Sequence, residues 1–241
     1  MCFSVETAKD IDRVMKLFKA KQDLEEVARL NSMIIKANDF QWVKDTLGLT
    51  KKPSSNPFKL PGNDNRIFPG CFGQVMVKEN DDRILKPMRY RIRANGSKAE
   101  IPTKFNVFNA RLDSFEVRQT WAPLFMKNHG LFPFVRFFEW VEDEGKKRLI
   151  SFKSDQHEIL WAPCLWDYWF NEKANIGFYS FAIITDDPPS EIAEMGHDRC
   201  PIFLSADKID DWLSPESKTK EVIYQILKTK ERVHYSYAWV A

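Results

Sequence analysis

The chain has 241 residues, of which 36 are Lys or Arg and 34 are Asp or Glu, so its formal net charge is only +2. Hydrophobic residues make up 44% and aromatic residues 14% of the chain, which excludes a disordered chain, a coiled coil and a collagen-like fibre. No apolar run approaches the roughly 20 residues that span a bilayer. Because the first ten residues lack an apolar signal segment, we expect a reducing, intracellular compartment such as the cytoplasm. The length suits one domain, 1–241.

The first 50 residues predict two helices, because apolar side chains recur at helical spacing over 6–20 and 23–36. Thr7 and Asp10 resemble a capping box at the start of the first helix. The expected inward faces comprise Ile11, Val14, Met15 and Phe18 in the first helix, and Leu24, Val27, Ala28 and Ile34 or Ile35 in the second. Residues 50–70 contain four prolines and two glycines, which predicts a loop over the core.

Short apolar runs separated by turns predict strands between residues 71 and 185. These runs are 73–78, 106–112, 133–141, 148–153, 158–166 and 178–185. A short helix is predicted at Ser190, a loop and strand over 197–204, and a helix from Ser214 with Pro215 in its first turn. The last helix is expected to bury Val222, Ile223, Ile226 and Leu227. Helices flanking strands favour an α+β fold with an antiparallel β-rich core, a partial barrel.

Basic residues concentrate between positions 83 and 118, where nine Lys or Arg face three acidic residues, a local balance of +6. Arg89, Tyr90 and Arg91 interleave a ring with guanidinium groups. This pattern suits a phosphate backbone with stacked bases. A solvated strand face explains it equally well.

Cys2 is the most informative single position. Removal of Met1 would leave an α-amine and a thiol on one residue, with pKa values near ~8 and ~8.5, so both would be partly nucleophilic at neutral pH. Such an aminothiol condenses with an aldehyde to an imine and then closes a thiazolidine ring. It could instead attack an amide carbonyl, and Cys2 could also be incidental.

Three further motifs carry polar groups suited to catalysis. Asn109 offers donors and an acceptor, and Arg111 a planar fork for phosphate. Glu139 lies among Phe and Trp residues that would raise its carboxyl pKa, as a general acid requires. His197 could carry a proton, and Arg199 could orient it or bind phosphate. Each has a plain alternative: a strand end, an outward glutamate, or a surface loop with a salt bridge.

The remaining cysteines and histidines suggest no metal or cofactor, since their spacing fits no ligand pattern. Cys71 and Cys164 lie in apolar stretches typical of a core. Cys200 adjoins the His197 motif and stays ambiguous. We assign no role to His129, His157 or His234.

The motifs together, in this order, resemble the SRAP (SOS-response-associated peptidase) family. They are Met-Cys at the N-terminus, Asn-Ala-Arg at 109–111, Phe-Phe-Glu-Trp at 137–140, a strand ending in Thr185, and His-Asp-Arg-Cys-Pro at 197–201. The resemblance extends from Cys2 to about Trp212.

The resemblance implies a domain with a groove for single-stranded DNA, no cofactor, no membrane association and, we expect, a monomer. We expect such a protein at the nucleoid in a bacterium or in the nucleus of a eukaryote. It implies that Cys2, freed by removal of Met1, forms a thiazolidine crosslink with the aldehyde of an abasic site and shields the lesion. Its implied site roles are these: Asn109 positions Cys2 or the sugar, Glu139 is the acid/base, His197 assists ring opening, Arg111 and Arg199 hold phosphates, and Trp140 and Thr185 contact DNA.

The chain departs from the family pattern at several places, and the segment after Trp121 is one of them. It begins Met-Cys-Phe-Ser rather than Met-Cys-Gly-Arg, so a phosphate-binding Arg is absent at position 4. Residues 88–92 replace the usual Trp-Gly-Leu-Ile-Pro, which suggests a base-stacking role for Tyr90 or for Arg guanidinium planes. Cys200 replaces a Met. Two other functions stay open: an N-terminal-nucleophile peptidase or amidohydrolase, which would use the same Cys2 and His197, and a non-covalent single-stranded-DNA binding module, which the basic residues of 83–118 suggest.

Overall fold

A computed structural model describes residues 4–102 and 104–240, whose strands form one hydrogen-bonded network. The strands are β1 Ser4–Thr7, β2 Ala20–Gln22, β3 Arg66–Ile67, β4 Phe72–Glu79, β5 Asp82–Tyr90, β6 Asn109–Arg111, β7 His129–Asp143, β8 Lys146–Ser154, β9 Leu160–Asn171, β10 Ile176–Asp186, β11 Cys200–Pro201 and β12 Tyr235–Trp239. The α-helices are α1 Ile11–Phe18, α2 Leu24–Lys36, α3 Phe40–Leu47, α4 Ser190–Ala193, α5 Ile209–Leu213 and α6 Lys220–Lys228.

Five of these strands close into a barrel. β4 pairs with β5, β5 with β10, β10 with β9 and β9 with β7, and β7 returns to β4 through Leu131 opposite Met76. The predicted α+β fold with a β-rich barrel flanked by helices is confirmed. The ring is not wholly antiparallel, because β5 and β10 run parallel.

The barrel closes where β7 carries a glycine. A Cβ atom on Gly130 would lie 2.7 Å from a methyl carbon of Val75 and 3.0 Å from Cys164 Sγ, closer than packed atoms tolerate. Aromatic side chains fill the interior on either side, with the rings of Phe132 and Phe181 centred 4.9 Å apart. Only a residue without a side chain lets β4 and β9 approach β7 from both sides here.

The N-terminal helices differ in detail from the prediction. Thr7 belongs to β1, and α1 begins at Ile11 because the Asp10 carboxylate accepts from the backbone N–H of Arg13 and caps it alone. In α2 the buried residues are Leu30 and Met33, which pack in a cluster with α3, whereas the expected core residue Leu24 is 70% exposed. The sequence reading missed α3, so it assigned α2 the wrong inward face.

Several other elements differ from the sequence prediction, and among them β1, β2, β3 and α5 were not predicted. The C-terminal helix begins at Lys220, capped by Thr219, since Pro215 starts only a single 3-10 turn. Val222 of that helix is exposed. Strands β5 and β12 were not predicted. None of the helices within the described residues has both the length and the apolar composition that a membrane crossing requires.

The basic stretch 83–118 supplies much of its charge to ion pairs inside the fold. Glu100 accepts from Arg89 at 2.8 and 3.2 Å and lies 3.0 Å from Arg93. The two guanidinium groups lie over aromatic rings of Phe178 and Trp169. Burial acts to raise the pKa of Glu100, but the neighbouring arginines hold it below its ordinary value. These cations stabilise the fold rather than forming a free basic surface.

We predict that Glu100→Gln lowers the free energy of unfolding by about 3 kcal/mol, because it leaves the buried guanidinium of Arg93 without its charge partner. Urea unfolding at neutral pH measures the change. Glu158→Gln is the matched control: Glu158 forms a bidentate pair with Arg13 at an exposed site, so we expect less than about 1 kcal/mol. Equal losses in the two variants would contradict the prediction.

Candidate active site

The sequence motifs converge at the carboxyl end of β10. On one side β6 lies parallel to β10, with Arg111 opposite Thr185. On the other side β11 lies antiparallel, with Pro201 opposite the same threonine. Strand β10 therefore brings the Asn-Ala-Arg segment and the His-Asp-Arg-Cys-Pro segment, almost 90 residues apart in sequence, to adjacent positions.

Glu139 and His197 form a buried pair. The carboxylate comes from β7, and the imidazole from the loop between α4 and β11. His197 Nε2 lies 2.9 Å from Glu139 Oε2, and the two side chains are only 9% and 3% exposed. The alternatives of an outward-facing glutamate and a solvated surface loop are therefore wrong for these two side chains.

The other ring nitrogen of His197 fixes how this pair holds its proton. Nδ1 lies 3.0 Å from the carbonyl oxygen of Arg199. A carbonyl can only accept, so Nδ1 carries a hydrogen and donates it. One proton is then shared between Nε2 and the Glu139 carboxylate: either the acid is neutral beside a neutral imidazole, or both are charged.

Burial raises the pKa of the Glu139 carboxyl above its ordinary value of 4.5, and the hydrogen bond with His197 opposes that rise. The expectation of a raised carboxyl pKa is confirmed. Desolvation favours the neutral carboxyl, and the imidazole favours the carboxylate. A carboxyl balanced between these two effects can both give and take a proton, as general acid–base catalysis requires.

Asn109 is buried, 4% exposed, and its orientation is set from two sides. The Tyr90 hydroxyl donates to Asn109 Oδ1 at 3.2 Å. The backbone N–H of Asn109 donates to the side chain of Asn106 at 3.1 Å. The ring of Tyr90 is itself fixed, since it stacks on Phe181 with centroids 5.2 Å apart. Tyr90 is fully buried and positions Asn109, so in this structure it offers no face to a base.

The two arginines of the motifs meet at one carboxylate. Asp113 Oδ2 lies 2.7 Å from Arg111 Nη2 and 3.3 Å from Arg199 Nη2. Arg199 also donates to Asp187 at 2.9 Å. The Arg111 side chain is 44% exposed and the Arg199 side chain 11%. Of the two, Arg111 is the better placed to reach a ligand.

The other residues that the sequence singled out for DNA divide into buried and exposed. Arg89 is enclosed with Glu100, and Arg91 donates to the carbonyls of Ile101 and Pro102. Thr185 is 1% exposed, within the pairing of β10. Trp140 is 52% exposed, on the face of β7 opposite Glu139. Trp140 and Arg111 are therefore the accessible members of the predicted DNA-binding set.

The three described cysteines are all buried. This confirms the core assignment of Cys71 and Cys164. Cys200, whose role was ambiguous, has a thiol pKa that burial raises to about 12. Its Sγ lies 3.9 Å from the Tyr235 hydroxyl. None of the three has the environment of an activated nucleophile.

Cys2 lies outside the described residues, so its predicted role is taken up below as a proposal. The adjoining strand is described: β1 pairs antiparallel with β7, and Ser4 lies opposite Phe138, next to Glu139. The sequence missed Tyr90 and Asp113 as positioning residues. The only available signal was their nearness to the motif, because the contacts depend on strand pairing.

The family model described as "SOS response associated peptidase (SRAP)" matches residues 1–240. The chain belongs to the SRAP family. The motif resemblance is thereby confirmed at the level of the family.

Several proteins are similar to this SRAP chain. "Abasic site processing protein YoqW" of Bacillus subtilis is 22% identical over 125 residues, which are 52% of this chain and 55% of that protein. "Abasic site processing protein YobE" of the same species is 23% identical over 124 residues, 51% of this chain and 56% of that protein. The matches span only about half the length of these curated relatives.

Two crystal structures share the fold of this SRAP chain. A protein from Bacteroides thetaiotaomicron superposes with a TM-score of 0.72 at 16% identity, covering 100% of this chain and 92% of that one. A protein from Bordetella bronchiseptica gives 0.69 at 17% identity, with both chains fully covered.

We predict that Glu139→Gln stabilises the protein increasingly as pH rises. A carboxyl whose folded pKa is raised contributes stability that is present below its unfolded pKa, near 4.5, and is lost as pH rises through the folded pKa. The amide has no such loss. The variant's free energy of unfolding minus that of wild type should therefore grow between pH 5 and 8 in urea titrations. Glu142→Gln, an exposed change on the same strand, should give a flat difference, and a flat difference for Glu139→Gln would contradict the prediction.

Proposed function

We propose that this protein captures abasic sites in single-stranded DNA through a covalent thiazolidine formed by Cys2 after removal of Met1. The observation that carries the proposal is the buried proton-sharing pair Glu139–His197 beside the start of β1. The names of the Bacillus subtilis relatives, abasic site processing proteins, agree with it.

The covalent connection between Cys2 and β1 supports this reading. One residue separates Cys2 from Ser4, and that length of chain reaches at most about 7 Å. Ser4 pairs with Phe138, the residue before Glu139. An amine and a thiol on Cys2 therefore belong within reach of the Glu139 region of the site, which is where an acid/base would be needed.

The reaction needs proton transfer at each step. Abasic deoxyribose is mostly a closed hemiacetal, so opening it requires a proton on the ring oxygen and removal of one from the hydroxyl. The Cys2 amine then adds to the aldehyde carbon, and loss of water gives an imine. The thiolate adds to the imine carbon, the nitrogen takes up a proton, and the five-membered ring is complete.

Glu139 and His197 can supply these protons without any other group. A neutral Glu139 donates its proton to the ring oxygen, and the carboxylate or the free Nε2 of His197 then accepts the proton removed from the hydroxyl, since Nδ1–H is committed to the Arg199 carbonyl. Asn109, held by Tyr90, orients the sugar or the Cys2 backbone. Arg111 and the exposed ring of Trp140 provide a phosphate contact and a stacking surface.

We predict that wild-type protein forms a band of retarded mobility on a denaturing gel with an oligonucleotide that carries one abasic site. Cys2→Ala should abolish the band, because neither the imine nor the ring can be trapped without the thiol. An oligonucleotide of the same sequence without the lesion is the control. Intact-protein mass spectrometry should show that Met1 is absent from the reactive protein.

Each other result points elsewhere. A band that persists in Cys2→Ala would exclude the thiazolidine mechanism. Hydrolysis of an amide that depends on Cys2, without any DNA adduct, would favour the peptidase or amidohydrolase alternative. Salt-sensitive binding that ignores the lesion and survives loss of Cys2 would indicate a non-covalent DNA-binding module.

We predict that Glu139→Gln and His197→Asn each slow crosslinking by about 100-fold or more at saturating DNA, within the usual range for loss of a general acid–base group. The double variant should be little slower than either single one, since the two side chains share one proton. Single-turnover gel assays between pH 5.5 and 8.5 measure the rates. Glu142→Gln is the matched control and should keep the wild-type rate and pH profile. Independent, multiplicative losses in the double variant would refute a shared role.

A further inference from the structure

The guanidinium of Arg66 lies beside the start of β1, where uncharged groups hold it in place. Its guanidinium carbon lies 3.9 Å from the ring centroid of Phe138 and 4.8 Å from that of Phe68. Its Nε donates to Ser4 Oγ at 2.8 Å. Two aromatic rings and a hydroxyl thus fix the orientation of the guanidinium plane.

The fork of Arg66 remains available for a ligand. Within the described residues, no carboxylate lies at ion-pairing distance from it, and Nη1 and Nη2 donate to no protein acceptor. Asp64 uses its Oδ1 to accept from the backbone N–H of Arg66 at 3.0 Å, and Glu6, the cross-strand partner of Arg66, forms its ion pair with Arg136. Burial lowers the pKa of Arg66, but a guanidinium stays charged at neutral pH.

Most other arginines of the chain form ion pairs with acidic side chains. A carboxylate lies at ion-pairing distance from each of the following: Arg13, Arg29, Arg83, Arg89, Arg93, Arg111, Arg136, Arg148 and Arg199. A preorganised guanidinium with two unused terminal nitrogens is the donor geometry that binds a phosphate bidentately.

The surroundings of Arg66 indicate which anion it would bind. Ser4, which accepts a hydrogen bond from Arg66, follows Cys2 by two residues. Phe138, over which it lies, shares a face of β7 with Trp140, about 7 Å along the strand. A strand of DNA that stacks a base on Trp140 would bring a backbone phosphate past Arg66.

We propose that Arg66 binds a phosphodiester of the single-stranded DNA next to the lesion, and so docks the strand beside Cys2. The inference rests on the proposed function for its choice of DNA as the ligand. The phosphate contact is nevertheless non-covalent and can be tested separately from the crosslinking chemistry.

The experiment measures binding of a fluorescein-labelled oligonucleotide without a lesion, by anisotropy at several salt concentrations. Arg66→Gln should weaken binding about tenfold at low salt, as loss of a charge-assisted hydrogen bond does. It should also reduce the slope of log K against log salt by about 0.7, the value for one phosphate contact on a single strand.

Two further variants separate docking from folding. Arg66→Lys keeps the charge without the fork, so it should restore the salt slope while recovering only part of the affinity. Arg29→Gln removes an arginine that also lies over a ring, that of Tyr168, but is paired with Glu26 on α2. It should leave both the slope and the affinity unchanged, and Arg66→Lys carries the test if Arg66→Gln does not fold.

The outcomes distinguish this inference from the proposed function. Folded Arg66→Gln with the wild-type slope and affinity would overturn the inference, even when wild-type protein crosslinks abasic DNA. Equal losses in Arg66→Gln and Arg29→Gln would overturn it too, because they would reflect net charge alone. A wild-type protein that forms no crosslink but shows the Arg66-dependent slope would disprove the proposed function and leave the phosphate contact standing.

Discussion

The hydrogen bond between Glu139 and His197 connects two parts of the chain that would otherwise have no reason to meet at this point. It places a carboxylate inside an aromatic strand of the barrel, where desolvation disfavours the charge. It also anchors the loop after α4, whose next residues form β11 on the edge of β10. The carbonyl of Arg199 keeps a hydrogen on Nδ1, so the contact between Nε2 and the carboxylate is made through a hydrogen of its own. The acid–base role that we propose for the site depends on that hydrogen.

Around this pair, some arginines stabilise the fold and others lie at the site. Arg89 and Arg93 are enclosed with Glu100 and serve the fold. Arg111 and Arg199 share Asp113, which keeps two guanidinium groups together before any ligand arrives. A net charge of +2 therefore conceals an uneven distribution of usable cations. Counting basic residues along the sequence could not show it, because the partner of each arginine is set by strand pairing.

The local patterns of the sequence predicted much of the barrel. Alternating apolar runs located β4, β7, β8, β9 and β10. The motif order located Asn109, Glu139 and His197, and the structure places Glu139 and His197 in contact. The predictions that were wrong concerned contacts between residues distant in sequence. Tyr90 looked like a stacking residue beside two arginines, but its ring lies against Phe181 and its hydroxyl on Asn109. The face of α2 was misassigned because α3, whose Leu47 packs in the same cluster, was not foreseen.

The burial of Cys71, Cys164 and Cys200 has a consequence for how this molecule meets oxidants. Oxidation proceeds through the thiolate, and the pKa of each of these thiols is raised by burial. Peroxide and electrophiles would therefore find the interior sulfur atoms protonated and screened while the barrel is closed. Modification of these thiols would therefore report opening of the barrel, and it would be detected as added mass at known positions.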